Sequence, residues 1–117
     1  LNKKILLIED DESSRETLES FLDESGYDVI STGDGLEGLE LMKNQNPDLV
    51  ITDNKLPHIN GIELACINAG FKKRIPFIIV SAFDNLSEYI DDLGEIIFIQ
   101  KPIDIKYLKQ CIDNAFA

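Results

Sequence analysis

Basic residues are scarce in this chain of 117 residues. Lysine and arginine total 11 against 22 aspartates and glutamates, a net charge of −11. That balance argues against direct nucleic-acid binding, because phosphate backbones are held by Lys and Arg. Long hydrophobic runs are also missing. The longest are four or five residues, far below the ~20 that a membrane-spanning helix needs. The only two cysteines, Cys66 and Cys111, form no CxxC and no Cys/His cluster, which argues against a disulfide framework or a zinc site. Both lie in apolar-patterned segments and are expected to be structural thiols in a reduced, cytoplasmic setting. His58 is the sole histidine, so no pair of imidazoles can form a dyad, and it reads as a plain loop residue. No linker, repeat or low-complexity segment is visible. Leu1 to Ile8 carries two lysines and one short apolar run, which is not the pattern of a secretory leader. A first residue other than Met fits an excised or processed piece.

What is present is a regular alternation. The length favours one domain spanning residues 1–117. Short, nearly unbroken apolar runs recur at Ile5–Ile8, Leu49–Ile51, Phe77–Val80 and Ile96–Ile99, with Val29-Ile30 a weaker fifth. Such runs read as strands buried on both faces, as in a parallel sheet. Helix-period segments lie between and after them. The first carries Leu18, Phe21 and Leu22, with Ser13 and Glu16 as a capping box and Gly26 as its stop. The second follows Asp34, with Leu36, Leu39 and Met42, and ends before Asn46-Pro47. The third starts at Asn60, with Glu63 three residues on, and carries Ile62, Ala65 and Cys66. The fourth is short, with Leu86, Tyr89, Ile90 and Leu93 between Asn85 and Gly94. The fifth follows Asp104, with Ile105, Leu108, Ile112, Ala115 and Phe116 on one face. Five alternations imply βαβ units with right-handed crossovers and a sheet covered on both sides.

Ligands of such folds gather outside the carboxyl ends of the strands. The residues there are Glu9 and Asp10 after the first run, Asp53 after the third, Ser81 after the fourth, and Gln100, Lys101 and Pro102 after the fifth. If the first and third strands are neighbours, three carboxylates crowd one edge. Two unit charges about 5 Å apart repel by roughly 3 kcal/mol at an effective dielectric near 20. Either a proton is taken up or a divalent cation fills the gap. Oxygen-only ligands favour a hard ion, Mg²⁺ or Mn²⁺. A nearby lysine, a hydroxyl and backbone N–H groups suit a phosphoryl group. The edge therefore reads as a Mg²⁺-assisted phosphoryl site, with the Asp53 carboxylate as nucleophile.

The motifs "LLIEDD", "VITDNKLPHINGIEL", "VSA" and "FIQKP" occur in this order at four strand ends. Together they resemble the receiver domain of two-component response regulators, over nearly the whole chain. The resemblance implies a (βα)5 doubly wound α/β fold, flavodoxin-like, with a five-stranded parallel sheet in the order 2-1-3-4-5. It implies that Asp53 accepts a phosphoryl group from a phosphohistidine of a sensor histidine kinase or histidine phosphotransfer protein. It gives Asp10 as a direct Mg²⁺ ligand, Glu9 as its acidic neighbour, and the Lys55 backbone carbonyl as a further ligand beside Asp53. Ser81 and Lys101 would meet the phosphoryl group, and Phe98 would follow Ser81 as the switch aromatic. The Lys101–Pro102 bond is cis in that family, and Pro57 and Gly61 match its loop out of the third strand. The implied role is a phospho-accepting switch rather than an enzyme, limited to self-phosphorylation and autodephosphorylation.

Some positions depart from the pattern. Lys55 is a long cation at a variable position. Asn60 stands where Asp is frequent, and Glu95 follows Gly94 where a small residue is usual. The stretch from Ser81 to Gly94 is slightly short, so the fourth helix is expected to be short or irregular. A haloacid-dehalogenase-type phosphohydrolase also uses an Asp nucleophile, but expects a second Asp where Lys55 stands. A receiver-like binding module that is never phosphorylated is the third reading. An output domain outside these residues is allowed. Lys72, Lys73 and Arg74 read as a solvated turn, with partner docking as the alternative.

Overall fold

A computed structural model of the chain describes residues 2–82 and 96–117. Five strands form one parallel sheet: β1 (Lys4–Ile8), β2 (Asp28–Thr32), β3 (Leu49–Asp53), β4 (Phe77–Ser81) and β5 (Ile96–Gln100). Their spatial order is β2-β1-β3-β4-β5. The helices among the described residues are α1 (Glu12–Glu24), α2 (Gly35–Gln45), α3 (Gly61–Asn68) and α4 (Ile105–Ala115). The expected short helix with Leu86, Tyr89, Ile90 and Leu93, and the departure at Glu95, lie outside the described residues.

The unbroken apolar runs follow from burial on both faces. Side chains alternate along a strand, so each run feeds two cores. Ile5, Leu7, Leu49, Ile51, Ile78 and Val80 face one way, onto Leu18 and Leu22 of α1 and Leu108, Cys111 and Ile112 of α4. Leu6, Ile8, Val50, Phe77 and Ile79 face the other way, onto Met42 of α2 and Leu64 and Ala65 of α3. Full burial of each large aliphatic side chain contributes about 1.5–3 kcal/mol. These two layers clamp the strands in one register.

Local signals set the helix starts. Asp34 caps α2 by accepting from the Leu36 and Glu37 amides. Asn60 and Glu63 form the reciprocal capping box of α3. Asp104 caps α4. The first helix differs from expectation. Its cap is Asp11, whose carboxylate accepts from the Ser14 amide at 2.8 Å. Ser13 is already inside the helix, where its carbonyl accepts from the Thr17 hydroxyl. The charged acceptor two residues earlier takes the Ser14 amide, and its negative charge suits the helix N-terminus. Two apolar assignments also change. Cys66 is exposed on α3, whereas Cys111 is buried. Ile105 is exposed, so the buried face of α4 is Leu108, Cys111 and Ile112.

Candidate functional site

The register brings the strand ends together. Ile8 pairs with Thr52, and Asp53 pairs with Val80. Glu9 and Asp10 therefore leave β1 beside Asp53 at the end of β3. Ser81 pairs with Gln100, and the Lys101 amide donates to the Ser81 carbonyl at 2.7 Å. That bond ties the ends of β4 and β5 just where Lys101 turns toward the acidic group.

Glu9, Asp10 and Asp53 each offer a carboxylate oxygen, and these oxygens lie within 4.8 Å of one another. Glu9 and Asp53 are buried, and Asp10 is exposed. Lys101 Nζ donates to Asp53 Oδ2 at 2.8 Å and stands 3.9 Å from Glu9 Oε2. Burial, followed by the negative charge of Asp53, pushes the Glu9 carboxyl from 4.5 up to about 7. The Asp11 amide and the Lys101 ammonium pull against that rise. Partial burial disfavours the Lys101 ammonium, but the hydrogen bond and charge of Asp53, with Glu9 and Asp10 behind, hold its pKa above the ordinary lysine value. The group is thus an oxygen-only donor set with more negative charge than one lysine balances. Such a set suits a hard divalent cation.

Asp10, Asp53, Lys55, Ser81 and Lys101 line one open cleft of about 540 Å³. The Lys55 amide approaches Asp53 Oδ1 at 3.4 Å. Ser81 is buried at its rim. Phe98 is half-buried on β5 and packs against the second core layer. The Lys101–Pro102 peptide bond is cis.

The loop from Asp53 to α3 is held by close backbone approach. At Gly61 an added Cβ would stand 2.7 Å from the Asp53 carbonyl oxygen, and at Gly35 it would stand 1.8 Å from that of Ile59. Glycine is what lets these segments touch. The Gly35 amide donates to the Pro57 carbonyl at 3.2 Å.

The matched family model is the response regulator receiver domain, over residues 5–113. The chain belongs to the response regulator receiver family. PdtaR, a transcriptional regulatory protein of Mycobacterium tuberculosis, is 35% identical over 116 residues, covering 97% of this chain and 56% of that protein. Sporulation initiation phosphotransferase F of Bacillus subtilis is 29% identical over 114 residues, covering 96% of this chain and 92% of that protein. The HemR receiver domain from Leptospira biflexa superposes with a TM-score of 0.87 at 31% identity, covering 99% of this chain and 95% of that one. The receiver spans about half the length of several curated regulators it matches. None of the helices among the described residues is long and apolar enough to cross a membrane.

Several supporting residues of this receiver domain escaped the sequence reading. Arg15 on α1 donates from Nη1 to the Glu9 carbonyl at 2.7 Å and so fixes the acidic turn. Asn54 Oδ1 accepts from the Ile62 amide at 3.0 Å, tying the residue after Asp53 to the first turn of α3. His58 is not a bare loop histidine, because its Nδ1 lies 2.8 Å from Asp34 Oδ2. The left-handed backbone at His58, φ 70°, turns the loop toward α2. No spacing rule signals these contacts, since each joins segments far apart in the chain or depends on a turn.

Proposed function

We propose that this receiver domain accepts a phosphoryl group on Asp53 and relays the change as a conformational switch. The observation that carries this reading is the Lys101–Asp53 contact at 2.8 Å beside two further carboxylates. Asp53 supplies the nucleophilic oxygen. That oxygen forms a bond to phosphorus as the bond from phosphorus to the donor imidazole nitrogen breaks, and the nitrogen keeps the electron pair. The product is an acyl phosphate on Asp53. Lys101 turns from the carboxylate to the incoming phosphoryl oxygens, and the Ser81 hydroxyl meets another of them. Phe98, on the strand beside Ser81, follows that movement and carries it to the surface.

Glu9, Asp10, Asp53 and the Lys55 carbonyl would hold Mg²⁺, with Mn²⁺ as a substitute. Such an ion neutralises charge on the phosphoryl oxygens. The donors are a sensor histidine kinase or a histidine phosphotransfer protein. The domain acts as a switch rather than turning over a separate substrate, with loss of its own phosphoryl group as the reset. It works in the cytoplasm, where two free thiols are at home.

The test is intact mass after incubation with acetyl phosphate, with and without Mg²⁺. A Mg²⁺-dependent gain of one phosphoryl mass, lost in Asp53→Asn, is expected. If wild type gains nothing although Mg²⁺ binding is established separately, and a phosphohistidine donor protein also fails, the domain is a binding module instead.

A further inference from the structure

The opposite edge of the sheet holds a second charged concavity. Four of the 11 basic residues, Lys43, Lys72, Lys73 and Arg74, line a cavity of about 430 Å³ at the amino ends of β3 and β4. Asp48 is the single carboxylate in the lining, giving that wall a formal charge of +3 in a chain of net −11. Asp48 is also engaged, accepting from the Lys4 amide at 2.8 Å. β3 runs from this cavity to Asp53, so the two sites lie on the order of 16 Å apart at ~3.3 Å per residue.

The loop that bears the cations is pinned. The buried Asn68 side chain donates to the Ile75 carbonyl at 2.8 Å and accepts from the Ile75 amide at 3.0 Å. The Phe71 amide donates to the Asn68 carbonyl. Arg74 Nε donates to the Ala69 carbonyl at 3.1 Å, which anchors the guanidinium and leaves its Nη groups for a ligand. Lys43 suits the carbonyl end of α2, in whose last turn it sits. Lys72 and Lys73 make no hydrogen bond or ion pair among the described residues. Two adjacent exposed lysines without local partners, on a fixed loop that lines the same cavity as Arg74 and Lys43, present donors to an anion without first breaking an ion pair. Phe71, half-buried, adds aromatic surface to the same wall.

We propose that this cavity binds a phosphate-bearing nucleotide, its phosphates among Lys72, Lys73 and Arg74 and its base against Phe71. Its size falls within the ~300–1,000 Å³ of small-ligand sites, more than a bare phosphate fills. Converging cations suit the concentrated charge of a di- or triphosphate better than the spaced carboxylates of an acidic peptide. The proposal is independent of phosphoryl transfer at Asp53.

Calorimetric titration of the intact chain tests it, in EDTA and about 50 mM salt so that screening does not hide the contact. The titrants are ATP, GTP, pyrophosphate, adenosine and poly-glutamate. ATP or GTP should bind, pyrophosphate more weakly, and adenosine not at all. Lys72→Ala/Lys73→Ala should weaken the nucleotide at least about tenfold, the equivalent of one charge-assisted contact, while Asp53→Asn leaves it unchanged. Three outcomes overturn the proposal: no heat from either nucleotide, equal affinity in the double-lysine variant, or binding of poly-glutamate alone. Unchanged circular dichroism and melting of the double variant keep the middle outcome decisive.

Discussion

At the carboxyl edge of the sheet Glu9 and Asp53 are buried, crowd Asp10, and share one lysine. At the amino edge, Lys43, Lys72, Lys73 and Arg74 are exposed around an open cavity. Like charges gather at both edges, but the physical consequences differ. Burial at the carboxyl edge turns crowding into a shifted titration, as at Glu9. At the amino edge water screens the same crowding, which therefore costs little to folding. A site for bond making needs the first arrangement, where charge is desolvated and geometry is held by strand ends. A site that only captures an anion tolerates the second.

The largest expected effect separates the edges outright. Asp53→Asn should abolish phosphoryl gain in the mass assay and leave nucleotide titration intact. Loss of both would show that the two edges act as one. Next in size is Gly35→Ala, whose Cβ would stand 1.8 Å from the Ile59 carbonyl oxygen. Denaturant unfolding should show a loss of about 3 kcal/mol. Phosphorylation at Asp53 should slow with it, because the same loop runs on from Asp53.

A smaller effect concerns pH. Native Glu9 holds its proton up to about 7, whereas the unfolded chain releases it near 4.5. The native state then binds more protons than the unfolded state between those values, so stability of the metal-free protein falls as pH rises through that window. Below 4.5 the contribution is fully present, and above about 7 it is gone. The unfolding free energy in EDTA should therefore drop between pH 5 and pH 7 by on the order of 1–2 kcal/mol, lowering the melting temperature, and saturating Mg²⁺ should raise the melting temperature more at pH 8 than at pH 5. A melting temperature flat across that range in EDTA would contradict a raised Glu9. The smallest effect is on the exposed lysines: Lys72→Ala/Lys73→Ala should change unfolding free energy by less than about 0.5 kcal/mol. A larger loss would mean that the amino edge contributes to the fold and is not only a binding wall.

Much of the carboxyl edge was legible in the chain because each candidate site residue lies at or just beyond the end of a buried run. Glu9 follows Ile8, Asp53 follows Thr52, Ser81 follows Val80 and Lys101 lies just beyond Ile99. Each alone reads as well as a turn, cap or solvated residue; it is the four at successive strand ends that point to one site. The cap of α1 is ambiguous in the sequence, because Ser13/Glu16 and Asp11/Ser14 both satisfy a capping pattern within three residues. Only the residue at which the helix begins decides between them, and Asp11 takes the Ser14 amide. Cys66 reads as apolar by spacing, yet α3 buries Leu64 and Ala65 instead. A helix of eight residues leaves the phase of its buried face poorly determined by periodicity.

The amino edge was barely legible. Lys72, Lys73 and Arg74 announce themselves as a basic turn, but Lys43 lies about thirty residues earlier, and only the return of α2 toward β3 places it on the same wall. The same holds for Arg15 on Glu9 and His58 on Asp34. By itself, the sequence determined the alternation of strand and helix, the two-sided burial and the acidic character of the strand ends, because these depend on residue order and local periodicity. Tertiary structure alone decided which side chains meet across the edges of the sheet. Those meetings depend on strand order and loop path, which hydrophobic packing sets globally and no local spacing encodes.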